Sequence, residues 1–271
     1  METNMKGKKV LITGSTKGIG RGCADIFAKE GSHVFVTGRK QEDCDRVAAE
    51  IQQLCPEAKV AGVAADLRIT EDVERLYSEV TKDGPLDVLV NNAGVYPTVS
   101  GKIKPFLELT DEDYEGLWLM DFMSPMRLAR LAFRDMMARN YGKIIFVTSE
   151  AALRPNKDVI AYGAVKAAAT ALARGMAEAT KGTRVTVNSV LPVTTITEGH
   201  IGYLESYAKT RGLSGVEEAK KDYFIHGNDA PSLIGRFTTV EECAMTVLFA
   251  AANDGVNGNS VLIDGGVIRH I

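Results

Sequence analysis

The chain has 271 residues, of which 45% are hydrophobic and 25% charged, and its formal net charge is −3. This composition is ordinary for a globular protein and excludes a disordered chain, a collagen-like repeat and a disulfide-stapled miniprotein. Because the charge is slightly negative, there is no electrostatic reason to expect nucleic acid as a partner. No uncharged apolar run is long enough to span a bilayer, and the first residues lack the apolar stretch of a signal peptide. We therefore expect a cytoplasmic protein with no membrane partner.

Short β-branched runs alternate with segments of helical period along the chain. The runs predict seven strands, at residues 10–13, 34–37, 59–64, 88–91, 144–148, 184–190 and 261–263. Longer segments predict helices, among them residues 19–30, 42–54, 110–139 and 159–180. Strands that alternate with helices form parallel sheets covered on both faces. The pattern predicts an α/β chain, a three-layer doubly wound fold with a seven-stranded parallel sheet, in a single domain over residues 1–271.

Two features mark the second half of this pattern. Capping boxes at Thr110 with Asp113 and at Thr239 with Glu242 predict helix starts. About fifty residues without a strand separate the sixth strand from the helix at Val240, and connections of this length are commonly lids or binding elements. We predict a substrate flap at about residues 194–236, with helical segments at 202–210 and 216–224.

A glycine-rich turn joins the first predicted strand to the first helix. Glycines let backbone amides approach a pyrophosphate closely, and the helix N-terminus supplies partial positive charge. A glycine trio alone is a weak signal, but this one opens the first strand–helix unit, where a dinucleotide-binding fold keeps its phosphate loop. We predict a dinucleotide contact for seven residues: Gly14, Ser15, Thr16, Lys17, Gly18, Ile19 and Gly20.

The charges after the second strand indicate which dinucleotide is bound. An acid here would hydrogen-bond a free ribose 2′-hydroxyl, but none occurs before Glu42. Arg39 follows the strand instead, and Lys17 lies in the glycine-rich turn. Two cations suit a 2′-phosphate, so we predict NADP(H) rather than NAD(H). The alternative is that either cation is a solvated surface residue.

Four further motifs follow in order: Asn91-Asn92-Ala93-Gly94, Ser149, Tyr162-x-x-x-Lys166 and Asp264-Gly265-Gly266. With the glycine-rich turn, they make the chain resemble a short-chain dehydrogenase/reductase over essentially its whole length. The resemblance implies a Rossmann fold and an oxidoreductase that interconverts a small-molecule ketone or aldehyde and an alcohol. No Cys-x-x-Cys pair or other metal motif is present, so we expect structural thiols and no metal site.

The resemblance implies that Tyr162 is the acid/base, that Ser149 anchors the substrate oxygen and that Lys166 also binds the nicotinamide ribose. A spacing of four places Tyr162 and Lys166 on one face of a helix. The pKa of a free tyrosine is about 10, and an ammonium roughly 4 Å away contributes about 4 kcal/mol at an effective dielectric of about 20. We therefore expect the pKa of Tyr162 to fall by up to roughly 3 units, toward 7.

The resemblance also implies cofactor contacts beyond the glycine-rich turn. In the family an acid after the third strand contacts adenine, the Asn-Asn-Ala-Gly segment combines cofactor contact with bracing of the sheet, and a segment after the sixth strand contacts the nicotinamide amide. Val193 stands where that last segment usually has glycine. The positions implied here are Asp66, Leu67, Asn91, Asn92, Pro192 and Thr197.

Asp121 departs from the family pattern, which usually has an asparagine at this place in the helix before Ser149. The asparagine helps to hold a water in a proton relay to the lysine. A carboxylate can accept hydrogen bonds from the same water, or it can pair directly with Lys166. Direct pairing would partly neutralise the ammonium and leave Tyr162 a weaker acid. We expect Asp121 to preserve the relay and to shift the pH optimum; the alternative is a slow or silent enzyme.

Residues 95–105 and the flap are expected to line the substrate side. Glu150, directly after Ser149, is expected to meet a polar substrate group or solvent. The flap offers aromatic and basic side chains, compatible either with a large apolar substrate that has an acidic group or with an amphipathic lid whose cations are solvated. These side chains are Tyr203, Tyr207, Tyr223, Phe224, Leu233, Lys209, Arg211, Lys220, Lys221 and His226.

Two rival functions stay open. Arg134 and Arg174 on the long helices could bind an acyl carrier protein, as in the family's 3-oxoacyl-thioester reductases, or could be solvated. A regulatory or scaffold protein that binds NADP(H) with little turnover would keep the same glycine-rich turn. By resemblance, the long helices at 110–139 and 159–180 would pack against their copies, giving a homo-oligomer, either a dimer or a homotetramer.

Overall fold

Seven parallel strands in one sheet form the centre of the fold. The computed structural model describes residues 3–95, 106–227 and 232–269. The strands in these ranges are β1 (Lys9–Ile12), β2 (His33–Gly38), β3 (Lys59–Ala64), β4 (Val88–Asn91), β5 (Gly142–Val147), β6 (Val185–Pro192) and β7 (Ser260–Ile263). Their order is β3-β2-β1-β4-β5-β6-β7. The predicted fold class is confirmed, and every strand boundary lies close to its predicted position.

Helices cover both faces of the sheet. Those in the described ranges are α1 (Gly18–Lys29), α2 (Gln41–Leu54), α3 (Thr70–Thr81), α4 (Asp111–Trp118), α5 (Ser124–Ala138), α6 (Ile160–Glu178), α7 (Glu198–Arg211), α8 (Val216–His226) and α9 (Val240–Ala252). The prediction of one regular helix over residues 110–139 was wrong in its middle, because a π-helical turn, Leu119–Met123, separates α4 from α5.

Alternate residues of the central strands pack against different helical layers. Val10 and Ile12 of β1 belong to the core shared with α1, α2 and α9. Leu11 between them belongs to the core shared with α3, α5 and α6. Since both faces of the sheet are buried, the strands are apolar in unbroken runs rather than at every second position.

The strand order creates a crevice at the carboxyl ends of β1 and β4. The chain leaves β1 toward β2 and β3, and then returns to pair β4 with the other side of β1. The connections after these two strands therefore run in opposite directions, and open α/β sheets bind ligands at such a switch point. The glycine-rich turn follows β1 and the Asn-Asn-Ala-Gly segment follows β4, so both border this crevice.

The flap is built from α7 and α8, which confirm the two predicted helical segments at greater length. Asp222 ties the two helices together, accepting a hydrogen bond from the Tyr207 hydroxyl at 2.7 Å and pairing with Arg211 at 2.7 Å. The flap also has a hydrophobic cluster of its own. Its buried members are Leu204, Ala208, Ala219 and Tyr223, together with Phe237 directly after the flap.

Both predicted capping boxes are present. The Thr110 hydroxyl accepts from the Asp113 N–H, and the Asp113 carboxylate accepts from the Thr110 N–H. Thr239 and Glu242 make the same reciprocal pair at the start of α9. These bonds satisfy amides that a helix N-terminus leaves without an intrahelical acceptor.

The residues that the structure describes form neither a membrane-spanning helix nor a cluster of metal ligands. In that part of the chain, no helix has both the length and the apolar character needed to cross a membrane. Nor do the same residues contain a group of three histidine, cysteine or acidic side chains that could hold a metal ion. The four cysteines are free thiols, and burial raises the pKa of Cys44 to about 11.

Candidate active site

The glycine-rich turn between β1 and α1 has a backbone that requires glycine. Gly14 and Gly18 have φ angles of 63° and 57°, in the left-handed region that residues with a side chain rarely adopt. At Gly20 a Cβ atom would lie 2.3 Å from the Gly14 carbonyl oxygen and 2.4 Å from Nδ2 of Asn92. The turn is therefore tightly folded against the segment that follows β4.

The N-terminus of α1 offers an anion site at this turn. Helix α1 begins at Gly18, Lys17 before it makes no side-chain cap, and the first turn contains no acidic residue. The amides of a first helical turn carry partial positive charge and lack intrahelical acceptors. The turn and the helix start therefore fit the pyrophosphate of a dinucleotide.

Ser15 and Asn92, both predicted to contact the cofactor, brace the turn with their side chains. Nδ2 of Asn92 donates to the carbonyl oxygens of Thr13 at 2.9 Å and Gly14 at 3.2 Å. The buried Ser15 hydroxyl accepts from the Thr37 N–H at 2.8 Å. These bonds give the two side chains a structural role in holding the turn onto the sheet.

Two of the charged residues predicted at the adenosine end, Arg39 and Asp66, lie near each other. Lys17 and Arg39 are exposed. Arg68 hydrogen-bonds Asp66 and, with a smaller contribution from Arg39, holds the pKa of that carboxyl below its usual range. Leu67, the next residue, is buried. Arg39 and Asp66 are thus brought together from the ends of β2 and β3.

Thr197 places the start of the flap next to the glycine-rich turn. Its hydroxyl accepts from the His200 N–H at 3.2 Å and so caps α7. Its Cγ2 lies 3.5 Å from the position that a Cβ atom at Gly18 would take. Two predicted cofactor segments, far apart in sequence, therefore meet. Val193, which replaces the usual glycine nearby, is buried and continues the pairing with β7 through its N–H.

Ser149 follows β5 and begins a short 3₁₀ turn, Glu150–Ala152. Its buried hydroxyl donates to Oε2 of Glu150 at 2.6 Å and accepts from the Ala151 N–H at 3.2 Å. A hydrogen bond also links Ser149 to Tyr162. The predicted substrate anchor and the predicted acid/base are therefore neighbours.

Lys166 lies one turn after Tyr162 in α6, and it pairs directly with Asp121. Its Nζ atom is 2.8 Å from Oδ1 of Asp121 and 5.4 Å from the centre of the Tyr162 ring. Both members of the ion pair are buried, Asp121 being 2% exposed. Oδ2 of Asp121 accepts from the Val95 N–H at 3.1 Å. Of the two roles considered for Asp121, the structure contains the direct pair.

The segment after β4 links this ion pair to the glycine-rich turn. A Cβ atom at Gly94 would lie 2.5 Å from Oδ1 of Asp121 and 3.1 Å from Nζ of Lys166. On the other side, a Cβ atom at Gly14 would lie 3.0 Å from Cα of Ala93. The glycine-rich turn and the buried ion pair are therefore separated by only two residues of backbone, Ala93 and Gly94.

The pKa of Tyr162 is raised, so the expectation of a value near 7 is not met. Burial raises it, Lys166 lowers it, and Asp121 and Glu150 raise it further. Burial lowers the pKa of Lys166, but the Asp121 carboxylate and Tyr162 outweigh burial, and the net direction is upward. The single ammonium does not compensate for desolvation and two carboxylates.

Comparison with known proteins agrees with this geometry. The family model for short chain dehydrogenases matches residues 8–205. The chain belongs to the short-chain dehydrogenase family.

Several known proteins match this chain over essentially its whole length. It is 41% identical to the uncharacterized oxidoreductase YvrD of Bacillus subtilis, with 100% of both chains covered. It is 30% identical to 3-oxoacyl-[acyl-carrier-protein] reductase FabG of Aquifex aeolicus, covering 98% of this chain and 100% of the relative. The L-sorbose reductase of Gluconobacter frateurii, solved with NADPH and L-sorbose, superimposes with a TM-score of 0.90 at 28% identity over 100% of both chains. The chain is accordingly an oxidoreductase.

The structure describes only part of the region that is expected to line the substrate side. The loop expected there at 95–105 lies almost wholly outside the described residues, as do residues 228–231 of the flap. Of the flap cations, Arg211 pairs with Asp222 and Lys220 with Glu217. The flap aromatics pack on one another, which favours the interpretation of an amphipathic lid.

The two arginines considered for an acyl carrier protein are exposed and have partners of their own. Arg134 pairs with Asp135, and Arg174 pairs with Glu178 one turn later. Such contacts are typical of solvated helix surfaces.

Sequence reasoning missed two local features of the dehydrogenase's site. It assigned Gly94 only to a motif, and the need for a residue without a side chain beside Asp121 and Lys166 appears only in three dimensions. It left Glu150 to substrate or solvent, whereas the carboxylate accepts a hydrogen bond from the Ser149 hydroxyl. The adjacency of Ser149 and Glu150 in sequence was the available signal.

Proposed function

We propose that this dehydrogenase interconverts a ketone or aldehyde and an alcohol with NADP(H) as the hydride carrier. The observation that carries the proposal is the meeting of Ser149, Tyr162 and Lys166 beside the glycine-rich turn. When bound, the reduced nicotinamide supplies the hydride that adds to the carbonyl carbon. The chain must then supply a proton to the carbonyl oxygen and hold that oxygen in place.

Tyr162 is the proton donor in this proposal, and Ser149 holds the carbonyl oxygen next to it. Because burial raises the pKa of Tyr162, the phenol stays protonated near neutral pH and is ready to donate. Lys166 keeps its proton because the Asp121 carboxylate beside it raises the pKa of its ammonium. A protonated tyrosine favours reduction over oxidation at neutral pH, since oxidation of the alcohol requires the same residue to accept a proton.

The choice of NADP(H) rests on charge. Lys17 and Arg39 are exposed cations near the start of α1 and the end of β2, and no acid precedes Glu42 at that place. The L-sorbose reductase that superimposes on the chain was solved with NADPH. In the proposal, residues 14–20 hold the pyrophosphate, Arg39 the 2′-phosphate, Asp66 and Leu67 the adenine, and Thr197 the nicotinamide amide.

A second candidate function is an NADP(H)-binding protein with little turnover. It is favoured by one observation, the direct pair of Asp121 with Lys166 at 2.8 Å, because this pair weakens the effect of the ammonium on Tyr162. A broad panel of carbonyl compounds with NADPH separates the two candidates. The panel includes a 3-oxoacyl thioester, since the Aquifex aeolicus relative is named for that activity.

Replacing Tyr162 with phenylalanine tests the acid/base role. We expect Tyr162→Phe to lower kcat for NADPH-dependent reduction by at least about 100-fold, because the general acid is removed while the ring remains. Binding of NADPH, followed by its fluorescence, should be unchanged within about twofold. Tyr141 directly precedes β5, at the end of the strand opposite Ser149. Tyr141→Phe therefore serves as the control and should keep full activity. Undiminished turnover in Tyr162→Phe would overturn the mechanism.

A further inference from the structure

The Asp121 carboxylate joins two parts of the chain, and each of them presents a donor to it. Its Oδ1 atom lies 2.8 Å from Nζ of Lys166 in α6, and its Oδ2 atom accepts from the Val95 N–H at 3.1 Å. The Asp121 side chain is fully buried, so neither oxygen is open to solvent. The carboxylate therefore forms a bridge between α6 and the segment that follows β4.

This bridge requires an acceptor atom on both sides. The ammonium of Lys166 and the N–H of Val95 are donors only. An asparagine side chain has the same shape as aspartate but one acceptor oxygen, and its NH₂ group would point a hydrogen at one of the two donors. The oxygen would turn to Lys166, because a hydrogen bond to a charged group is the stronger one. The Val95 N–H would then lose its acceptor.

The segment held by the bridge, residues 92–95, also supports the glycine-rich turn. The N–H groups of Asn92 and Ala93 donate to the Thr13 hydroxyl oxygen at 3.0 and 2.9 Å, and Thr13 directly precedes the first glycine of the turn. The segment is therefore fastened to the turn at one end and to Asp121 at the other. A change at Asp121 can reach the turn through this short piece of backbone.

Resting on the proposed function for the identity of the cofactor, we infer that Asp121 is a positioning residue for NADP(H). Its carboxylate holds residues 92–95 in place while it pairs with Lys166, and a neutral side chain of the same shape does not do both. This effect acts through the position of the backbone and requires no contact between Asp121 and the cofactor. It is separate from the effect of the Asp121 charge on the phenol of Tyr162.

A double-mutant cycle between Asp121 and Lys166 tests the inference without turnover. Asp121→Asn, Lys166→Met and the double variant are compared with the unmodified protein. Hydrogen–deuterium exchange reports the Val95 amide in the cofactor-free protein, and fluorescence titration gives the dissociation constant for NADPH. Lys166→Met removes the competing ammonium, so asparagine in the double variant can turn its oxygen to Val95. Asp83→Asn, an exposed change of the same kind, is the control, and thermal melting checks folding.

We expect Asp121→Asn to speed exchange of the Val95 amide by at least about tenfold and to raise the NADPH dissociation constant by about fivefold. Lys166→Met alone should leave the Val95 amide protected. In the Lys166→Met background, Asp121→Asn should change neither quantity by more than about twofold. Protection of Val95 that survives Asp121→Asn, or that is lost equally in both backgrounds, would overturn the inference.

Gly94→Ala opens the bridge by a second route that keeps the carboxylate. Its Cβ atom would lie 2.5 Å from Oδ1 of Asp121, so the segment must move away from the ion pair. We expect the same faster exchange at Val95, and unchanged exchange there would contradict the inference even if Asp121→Asn does not fold. Neither readout needs a ketone. A carbonyl panel that leaves NADPH unoxidised therefore overturns the proposed reductase, whereas the exchange pattern decides the role of Asp121.

Discussion

A carboxylate at position 121 changes the electrostatics of the residues around it. Asp121 and Lys166 form a buried ion pair, and such a pair is costly to break from one side because the remaining charge lies in apolar surroundings. The same carboxylate raises the pKa values of both Lys166 and Tyr162. Its identity should therefore be visible in the pH dependence of the reaction.

Asp121→Asn should move the pH–rate profile of carbonyl reduction to lower pH. Asparagine has no charge to raise the pKa of Tyr162, so the phenol loses its proton at lower pH and the alkaline limb of the profile moves down, by about one pH unit. The measurement is kcat against pH with NADPH and one reducible ketone. Asp83→Asn, an exposed change of the same kind, should leave the profile in place. A profile of Asp121→Asn that superimposes on that of the unmodified enzyme would contradict this account.

Residue identities in the site were predictable from sequence, but their protonation energetics were not. Ser149, Tyr162 and Lys166 follow from a motif with fixed spacing, and the structure brings them together. The direction of the Tyr162 shift depends on burial and on the carboxylates of Asp121 and Glu150. Burial is a property of the packed chain, so an estimate from the nearest ammonium alone had the wrong sign.

At the scale of elements, the glycine-rich turn depends on close backbone contact. Gly20→Ala should raise the dissociation constant for NADPH at least about tenfold, because its Cβ atom would collide with the Gly14 carbonyl and the Asn92 side chain. Fluorescence titration measures the constant. Gly116→Ala in α4, where a Cβ atom meets nothing within 4 Å, should leave it unchanged. Unaltered NADPH affinity in Gly20→Ala would show that the turn does not hold the cofactor.

The capping box of α9 makes a second prediction at this scale. Arg236 and the Thr239 N–H lower the pKa of Glu242 to about 2. A carboxyl whose pKa is lower in the folded state stabilises the protein above its unfolded pKa, and this stabilisation is lost as pH falls through the folded value. Glu242→Gln can still cap the helix and removes only the charge. We expect it to lower Tm by about 1–2 °C at pH 7 and the difference to vanish between about pH 4.5 and 2. A difference that persists at pH 2 would count against this.

Strands and caps were predictable because their signals are local. Apolar runs buried on both faces identify the strands, and a hydroxyl three residues before an acid identifies α4 and α9. The π turn at Leu119–Met123 has no such signal. The turn includes a hydrogen bond from the Ser124 N–H to the Leu119 carbonyl, five residues back, whereas the side-chain periodicity of the segment still indicates a regular helix.

At the scale of the whole molecule, the number of copies is open to a direct measurement. Because the family resemblance implies that the long helices α4 to α5 and α6 pack against their copies, we propose a homo-oligomer, either a dimer or a tetramer. Light scattering should then give two or four times the chain mass of 29.2 kDa. A mass of one chain would contradict the proposal. A cytoplasmic location likewise stays a prediction, based on the free thiols and the composition.

The π turn has a consequence for how this helix tolerates length changes. Its wider loop of backbone accommodates one surplus residue relative to a regular α-helix. Deleting a single amino acid from this turn should therefore be absorbed as ordinary α-helix, and α4 and α5 should keep their orientation relative to one another. A deletion of the same size in the regular part of α5 would instead rotate everything before it by about 100°. The segment around Asp121 is thus the place in this helix where a one-residue change in length should disturb the packing least.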